Sequence, residues 1–475
     1  MASRNRVLTA VLTAVVTVGL TACGVTEDDA GAPGLVSGEG PARPAAGGDD
    51  LVVDQQPLEA PVLLDPVPDG LLLTDLAYAP PDESYEPERA TLYGDPDLAD
   101  TLDGPVLLVG RSSGSATMAG PPYGTPGERE VDLGGRTGRL VADTDRTWVV
   151  IEGNDYREFV VGRGIAEDEL IAAARGADLD SQTASLAPDA VPNGLEPLVA
   201  GSPEDGPYSS GAGQSMSLQG NGNFLTVSAV RADPRLAALW GFWVEDATGS
   251  EVRGHPGSAG NLQDANVGGP EARGRVWAED GMVLAVVLAQ LDEGNGEGDP
   301  DRLLDEVVDD LRVGTWEEFE ALDGEIRERP PTREEAPCLE GGDFVSGVTE
   351  GSRWAFALRA DPLAGTGEWS VCSYDVTAGS ISGGSVLPPP SGELAVEGFG
   401  SGIVGGVAPP GTARVTVTAA DGRTLEAVLT DTGPRPGERV WGAFIPEPDP
   451  PPTGPLPFTV TAYDAAGAVL DSKTG

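Results

Sequence analysis

The pattern of hydrophobic and polar positions changes character along the chain. Residues 7–20 form one uncharged, mostly apolar run behind Arg4 and Arg6. A short basic segment followed by an apolar stretch of this length is the layout of a secretory signal, predicted over 1–22. It is too short for a comfortable membrane span, which takes roughly 20 apolar residues. Residues 24–60 are rich in Gly, Pro, Ala and Asp and carry too little apolar surface to offset the entropy of ordering them. Together with Cys23 they read as a disordered tether over 23–60, with an r.m.s. span of roughly 35 Å. Beyond it, the chain is too long for one core and divides into segments 61–182, 188–316 and 336–475, with a linker at 317–335.

The first two segments share a pattern. Each opens on a matching turn, Val67-Pro68-Asp69-Gly70-Leu71 and Val191-Pro192-Asn193-Gly194-Leu195. An apolar strand follows in each, at 106–109 and 224–230. Each ends with a strand pair and one helix. In the first segment the strands are 146–152 and 156–161 around a Gly-Asn-Asp turn, and the helix is 167–174. In the second they are 274–278 and 282–291 around Glu279-Asp280-Gly281, and the helix is 300–311. Asp299 caps this second helix, Pro300 suits its first turn, and Leu303, Leu304, Val307, Val308 and Leu311 form one apolar face. Asp301, Asp305, Asp309 and Asp310 form a solvated opposite face. Leu170, Ile171 and Ala174 repeat the pattern in the first helix. The expectation is a duplication of one α+β module, an antiparallel sheet plus a helix. This pattern resembles the extracytoplasmic modules of some bacterial sigma-factor regulators and envelope lipoproteins, but with no shared residue-level motif no functional residue carries over.

The charged stretch 315–329 predicts a helix that Pro330-Pro331 stops. After it the period is two throughout: alternating runs at 352–359, 368–376, 413–419, 424–430 and 458–463 are separated by Gly- and Pro-rich turns. Many short strands at even spacing predict an all-β third domain, a β-sandwich of the immunoglobulin-like kind. In an oxidising compartment Cys338 and Cys372 in this segment are expected to form a disulfide, whose loop closure contributes roughly 4 kcal/mol.

Charge narrows the range of partners. Loss of Arg4 and Arg6 with the leader leaves 27 basic against 77 acidic residues, a formal charge of −50. Such a surface is repelled by nucleic acid and by anionic lipid, so no nucleic-acid partner is expected. Lys473 is the only lysine beside 28 arginines, a bias that looks like a high-GC genome such as an actinobacterium's.

The apolar leader closes on Leu20-Thr21-Ala22-Cys23-Gly24. This resembles the lipobox of bacterial lipoproteins: an aliphatic residue, two small ones, then the cysteine that becomes the new N-terminus. The resemblance implies that Cys23 takes a diacylglycerol, with palmitate-type acyl chains, before a dedicated peptidase cuts in front of it. Each buried methylene contributes roughly 0.8 kcal/mol, so two chains anchor stably without help from the acidic surface.

Candidate chemistry elsewhere is sparse. His255, the only histidine, sits in a turn sequence, Gly254-His255-Pro256-Gly257. With so few His and Cys, zinc sites of the usual kinds lack ligands. Gly110-Arg111-Ser112-Ser113-Gly114 fits the nucleophile-elbow pattern, but Pro121-Pro122 follows where its helix must start. Gly400-Ser401-Gly402-Ile403-Val404-Gly405 fits a dinucleotide-loop pattern, but runs into Pro409-Pro410. Gly162-Arg163-Gly164 has Glu167 in the third glycine position, where a carboxylate opposes a pyrophosphate. Asp292, Glu293, Asn295, Glu297, Asp299 and Asp301 offer oxygen ligands for a weak calcium ion but lack the EF-hand order, and read as a solvated loop. Leu239-Trp240-Gly241-Phe242-Trp243-Val244 is expected as a buried strand; the competing reading is a sugar-stacking platform.

No catalytic residue, metal or cofactor is assigned. The expectation is a non-enzymatic binding or scaffolding lipoprotein on the extracytoplasmic face of the cell membrane. Its lipid anchor holds the membrane, and its partner is an envelope protein, a cell-wall glycan or a lipid. The alternatives are a carrier of a hydrophobic ligand and a secreted serine hydrolase using Ser112 and His255.

Overall fold

The computed structural model describes residues 51–81, 89–96, 104–113, 127–142, 146–152, 156–179, 183–201, 213–220, 222–245, 250–262, 272–290, 299–333, 335, 342–360, 369–375, 380–398, 402–446 and 457–474. These residues are mostly β-strand in several antiparallel sheets, with four helices. They divide into two compact units, one ending at Phe319 and the other starting at Glu320.

The first unit contains strands β1 (Val62–Leu64), β2 (Leu72–Ala79), β3 (Ala90–Gly94), β4 (Val106–Ser113), β5 (Arg129–Asp132), β6 (Thr137–Ala142), β7 (Arg146–Glu152) and β8 (Tyr156–Arg163), then helix α1 (Glu167–Arg175). After it come β9 (Ala177–Asp178), β10 (Ser185–Leu186), β11 (Glu196–Gly201), β12 (Gly213–Gly220) and β13 (Asn223–Arg231). Helix α2 (Arg235–Gly241), β14 (Val244–Glu245), β15 (Ser250–Val252), β16 (His255–Leu262), β17 (Arg273–Glu279), β18 (Met282–Gln290), α3 (Pro300–Asp310) and β19 (Leu311–Val313) complete it. The two helices expected in these segments are α1 and α3. Asp299 caps α3 as its position suggests, its carboxylate accepting the Asp301 N–H. The acidic face of α3 is less solvated than expected, because Arg275 of β17 reaches both Asp301 and Asp305, at 2.9 and 3.2 Å.

Two large sheets organise this unit. The first has the order β11-β3-β4-β8-β7-β6-β5 and the second β14-β16-β17-β18-β13-β12-β2, with β15 also on β16. Both put each strand in the same place by chain order, except at one edge. There β2, early in the chain, joins the second sheet beside β12, and β11, midway along, joins the first beside β3. The short strands before them are exchanged too: β1 pairs with β19, and β10 with β9. The segment boundaries at 61–182 and 188–316 therefore follow the chain but not the sheets.

Local chemistry places the exchanged strands. Each follows one of the two matching turns, in which Leu71 N–H reaches Pro68 O at 3.1 Å and Leu195 N–H reaches Pro192 O at 3.2 Å. Gly70 and Gly194 hold φ of 83° and 82°, the left-handed third position of a type II turn. A side chain on the neighbouring strand then grips the short strand before each turn. The Tyr93 hydroxyl accepts the Leu186 N–H at 2.8 Å. Gln214 accepts the Val62 N–H at 2.8 Å and donates back to Val62 O.

The sheets stack with α2 between them. Leu92, Leu108, Trp148 and Phe159 of the first sheet, and Val276, Val283 and Val287 of the second, share one core with Leu239, Trp240, Phe242 and Trp243. The opposite face of the first sheet packs on α1 through Leu107, Val149, Val160 and Leu170. The second sheet carries α3 on β17 and β18.

The tether expected to run to residue 60 is corrected at its end. Val53 and Leu58 are buried, Val53 N–H bonds Ala200 O at 2.9 Å, and Gln56 N–H bonds Arg231 O at 2.7 Å. The apolar triplet Leu51-Val52-Val53 gives this short stretch enough surface to bury, so residues 51–60 are folded.

The expected linker at 317–335 is also largely structured. Helix α4 (Trp316–Glu328) covers most of it. It starts with a reciprocal capping box, in which Thr315 N–H donates to Glu318 Oε2 at 2.8 Å and Glu318 N–H to Thr315 Oγ1 at 3.2 Å. The Arg312 guanidinium and these Thr315 groups hold the Glu318 carboxyl below the usual carboxylate range.

The second unit has three four-stranded sheets. Its strands are β20 (Asp343–Thr349), β21 (Ser352–Ala360), β22 (Trp369–Asp375), β23 (Ser380–Val386), β24 (Glu397–Gly398), β25 (Ile403–Ala408), β26 (Arg414–Ala419), β27 (Thr424–Glu426), β28 (Val428–Leu429), β29 (Arg439–Phe444), β30 (Phe458–Tyr463) and β31 (Val469–Thr474). The sheet orders are β20-β21-β22-β23, β24-β25-β29-β28 and β27-β26-β30-β31. The run expected as one strand at 424–430 is split at Ala427, and its halves join different sheets.

The middle sheet is covered on both faces, which explains the unbroken apolar runs in β25 and β29. Ile403, Val407, Val440 and Phe444 meet Trp354, Phe356 and Leu358 of the first sheet. Val404, Ala408, Trp441 and Ala443 meet Val415, Val417 and Val460 of the third. Gly405 makes the first approach possible, since a Cβ there would lie 2.6 Å from the Phe356 ring. Gly405→Ala is expected to cost about 1–3 kcal/mol by overpacking, measured as a lower urea midpoint at unchanged slope.

Candidate functional site

The residues carrying the sharpest chemical expectation, Cys23 and Cys338, lie outside the described residues. Cys372 is buried on β22, in register with Ala357 of β21 and Gly383 of β23. It is disulfide-bonded and does not titrate.

The elbow pattern falls in a strand. Residues 110–113 lie in β4 and pair without a break with 156–159 of β8, whereas an elbow needs a strained strand-to-helix turn. Gly110 has a packing role, since a Cβ there would come within 2.6 Å of the Phe159 ring. Gly114 is outside the described residues. His255, the base in the hydrolase reading, belongs to the other large sheet. The turn expected around it sits one step earlier, at Arg253-Gly254, where φ is 52° and 78°. His255 itself opens β16, opposite Val252. Its Nε2 lies 3.6 Å from Glu279, which also takes Arg253 at 2.9 Å. This is a hairpin held by surface charge.

The loop patterns resolve in the same way. Gly402 enters β25, a central strand, and no helix follows it. Gly162-Arg163-Gly164 does join β8 to α1, and Glu167 at the start of α1 pairs with Arg129. Of the acidic group, Asp292, Glu293, Asn295 and Glu297 lie outside the described residues. Asp299 caps α3, and Asp301 is taken by Arg273 and Arg275. Among the described residues no group of three or more His, Cys, Asp or Glu is placed to hold a metal.

The aromatic run 239–244 is buried as expected, but it is not a strand. It spans the end of α2, a turn and the start of β14. Asp233 and Pro234 start the helix; the Asp233 carboxylate accepts the Arg235 N–H at 2.9 Å. The Arg235 guanidinium beside it holds the Asp233 carboxyl below its usual range. Trp243 stacks on Trp148 at 5.8 Å and meets Phe159 and Phe242 edge-on. Arg146, 1 % exposed, donates to Phe242 O at 2.6 Å, and its guanidinium lies 5.1 Å from the Phe242 ring centre. The rings face protein on every described side, which leaves them no surface for stacking a sugar.

One charged centre escaped the sequence reading. Glu335 is fully buried between Arg329, at 2.6 Å, and Arg353, at 2.7 Å and itself 3 % exposed. Its second oxygen accepts the Thr332 N–H at 2.6 Å, and its own N–H donates to Thr332 Oγ1 at 3.3 Å. The visible signal was the T-x-x-E spacing of Thr332 and Glu335, a capping box directly after Pro330-Pro331. Every donor around this carboxylate is a protein group, so the centre holds chain together and presents nothing to a substrate.

Compared with protein-family models and with curated proteins, the sequence matches none.

Proposed function

We propose that this chain is an exported lipoprotein, held on the extracytoplasmic face of a membrane by lipid on Cys23, and that its folded units bind or scaffold envelope components without catalysing a reaction. The observation that carries this is the sequence Leu20-Thr21-Ala22-Cys23-Gly24 directly behind a basic and then apolar leader. It is compatible with the folded part, in which no described helix is long and apolar enough to cross a membrane. The partner is an envelope protein or a wall glycan, and the acidic surface disfavours nucleic acid.

Three finer readings belong with it. The first two segments are copies of one module, which is supported by the shared strand order, the matching turns and a helix after the same strand in each. The last two sheets form an immunoglobulin-like sandwich. Reading β24 to β31 as strands A, B, C, C′, D, E, F and G gives the orders A-B-E-D and C′-C-F-G. Cys338 is the partner of Cys372, because Cys23 is committed to lipid and the sequence holds three cysteines.

The alternatives fare less well. The continuous pairing of β4 through residue 113 weighs against a serine nucleophile elbow. The filling of the inter-sheet space by α2 and its aromatic residues weighs against a lipid carrier.

Cys23→Ala tests the anchor. The parent chain is expected in the membrane fraction with a lipid mass on its mature N-terminus, and the variant in the soluble fraction. A variant that still fractionates with membranes, beside a parent without lipid mass, would overturn the proposal.

A further inference from the structure

A β-sheet edge offers unpaired N–H and C=O groups to another chain, and natural proteins blunt such edges with charge, proline, bulges, brevity or cover. Among the described edge strands longer than three residues, most are blunted in one of these ways. β5 carries Arg129, Glu130 and Asp132, β2 carries Asp75, and β31 carries Asp471 and Lys473. β11 contains Glu196 and Pro197, and β20 contains Asp343 and packs on β28 and β29.

β23 has none of these protections. Its seven residues, Ser380–Val386, contain no charge and no proline. It pairs with β22 without a register shift from Ser380 to Val386, so its outer edge is regular, and among the described residues no strand pairs with that edge. The adjoining Leu387 is 75 % exposed, the most exposed of the described large apolar residues.

The geometry points to a homodimer of this chain, formed edge to edge by two β23 strands running antiparallel about a two-fold axis. Such a contact is self-complementary, because each strand supplies the donors and acceptors that its copy lacks. Charge selects a second copy and selects this edge. Two chains of formal charge −48 repel over most of their surfaces. Residues 376–392 contain no charged side chain, so a second copy meets least repulsion there. Leu387 of each chain then adds apolar contact at the rim of the paired strands. The inference is independent of the lipid anchor.

The test is sedimentation equilibrium of the purified chain carrying Cys23→Ala, which removes lipid as a source of association and keeps this result separate from the anchor proposal. Reversible dimerisation is expected. A Cβ at Gly384 meets nothing within 4 Å, so side chains fit there without disturbing the fold. Gly384→Asp brings like charges together at the paired edges and is expected to weaken the dimer about tenfold or more, while Gly384→Ala leaves it intact. Equal thermal midpoints for the two variants exclude unfolding as the cause. A monomer over the whole concentration range, or a Gly384→Asp chain that dimerises as tightly as its parent, would overturn the proposal.

Discussion

Glu335→Ala is expected to lower the unfolding free energy of the unit beginning at Glu320 by about 3–5 kcal/mol, the cost of leaving a buried charge without its partner. Arg353 bears most of this loss, since only 3 % of its side chain is exposed, whereas Arg329, 38 % exposed, recovers water. The capping box at Thr332 goes at the same time. Urea unfolding of the purified chain, followed by far-UV circular dichroism, measures the change. The same principle makes a sharper comparison: replacing both charges by apolar residues of similar volume avoids the orphaned guanidinium. Glu335→Leu with Arg353→Met is therefore expected to recover a large part of the loss. If the double variant is as unstable as the sum of its single variants, charge burial is not the source of the effect.

Trp243→Ala is expected to cost about 3–5 kcal/mol in the other unit, the range for truncating a buried large aromatic residue. The indole is 2 % exposed and touches both sheets' shared core, so the hole cannot be closed by the movement of one side chain. Loss of the stack on Trp148 removes a further contact. Trp243→Phe keeps most of the apolar surface and is expected to lose markedly less. The readout is the denaturant midpoint, with intrinsic fluorescence reporting the environment of Trp148. An alanine variant within about 1 kcal/mol of the parent would show that this cluster is not a tightly packed core.

Much of the local structure was legible because its signals are local. Asp299-Pro300 and the spacing of Leu304, Val307 and Val308 define α3 without reference to the rest of the chain. Asp280-Gly281 likewise defines a hairpin turn, with φ of 50° and 76°. The stretch 239–244 was misread as strand because it is apolar on every side, and periodicity cannot separate a buried helix from a buried strand. The separating signal was Asp233-Pro234, a helix start lying ahead of the aromatic residues. The exchange of β2 and β11 was not legible at all. A strand's alternation records which face is buried and says nothing about which sheet supplies its neighbours.

The chemical centres follow the same division. Thr332 and Glu335 show a capping box in sequence, but Arg353 lies on β21 and reaches Glu335 only in the folded unit. Arg146 gave no signal beyond a charge at the start of a strand, since its acceptor, Phe242 O, is 96 residues away.

The exchange of β2 and β11 also sets a schedule. As the chain emerges from its N-terminus, Thr74 must wait for Ser217, 143 residues later, before its side chain finds its acceptor. Until then β2 has no neighbour, and the first sheet cannot finish its own edge before β11 arrives. Closing loops of that length precedes the contacts that reward it, so this unit is expected to fold slowly and only after both segments are present. A chain halted midway would expose one unfinished sheet and one strand meant for another, and would depend on helpers that shield β-strands while they wait.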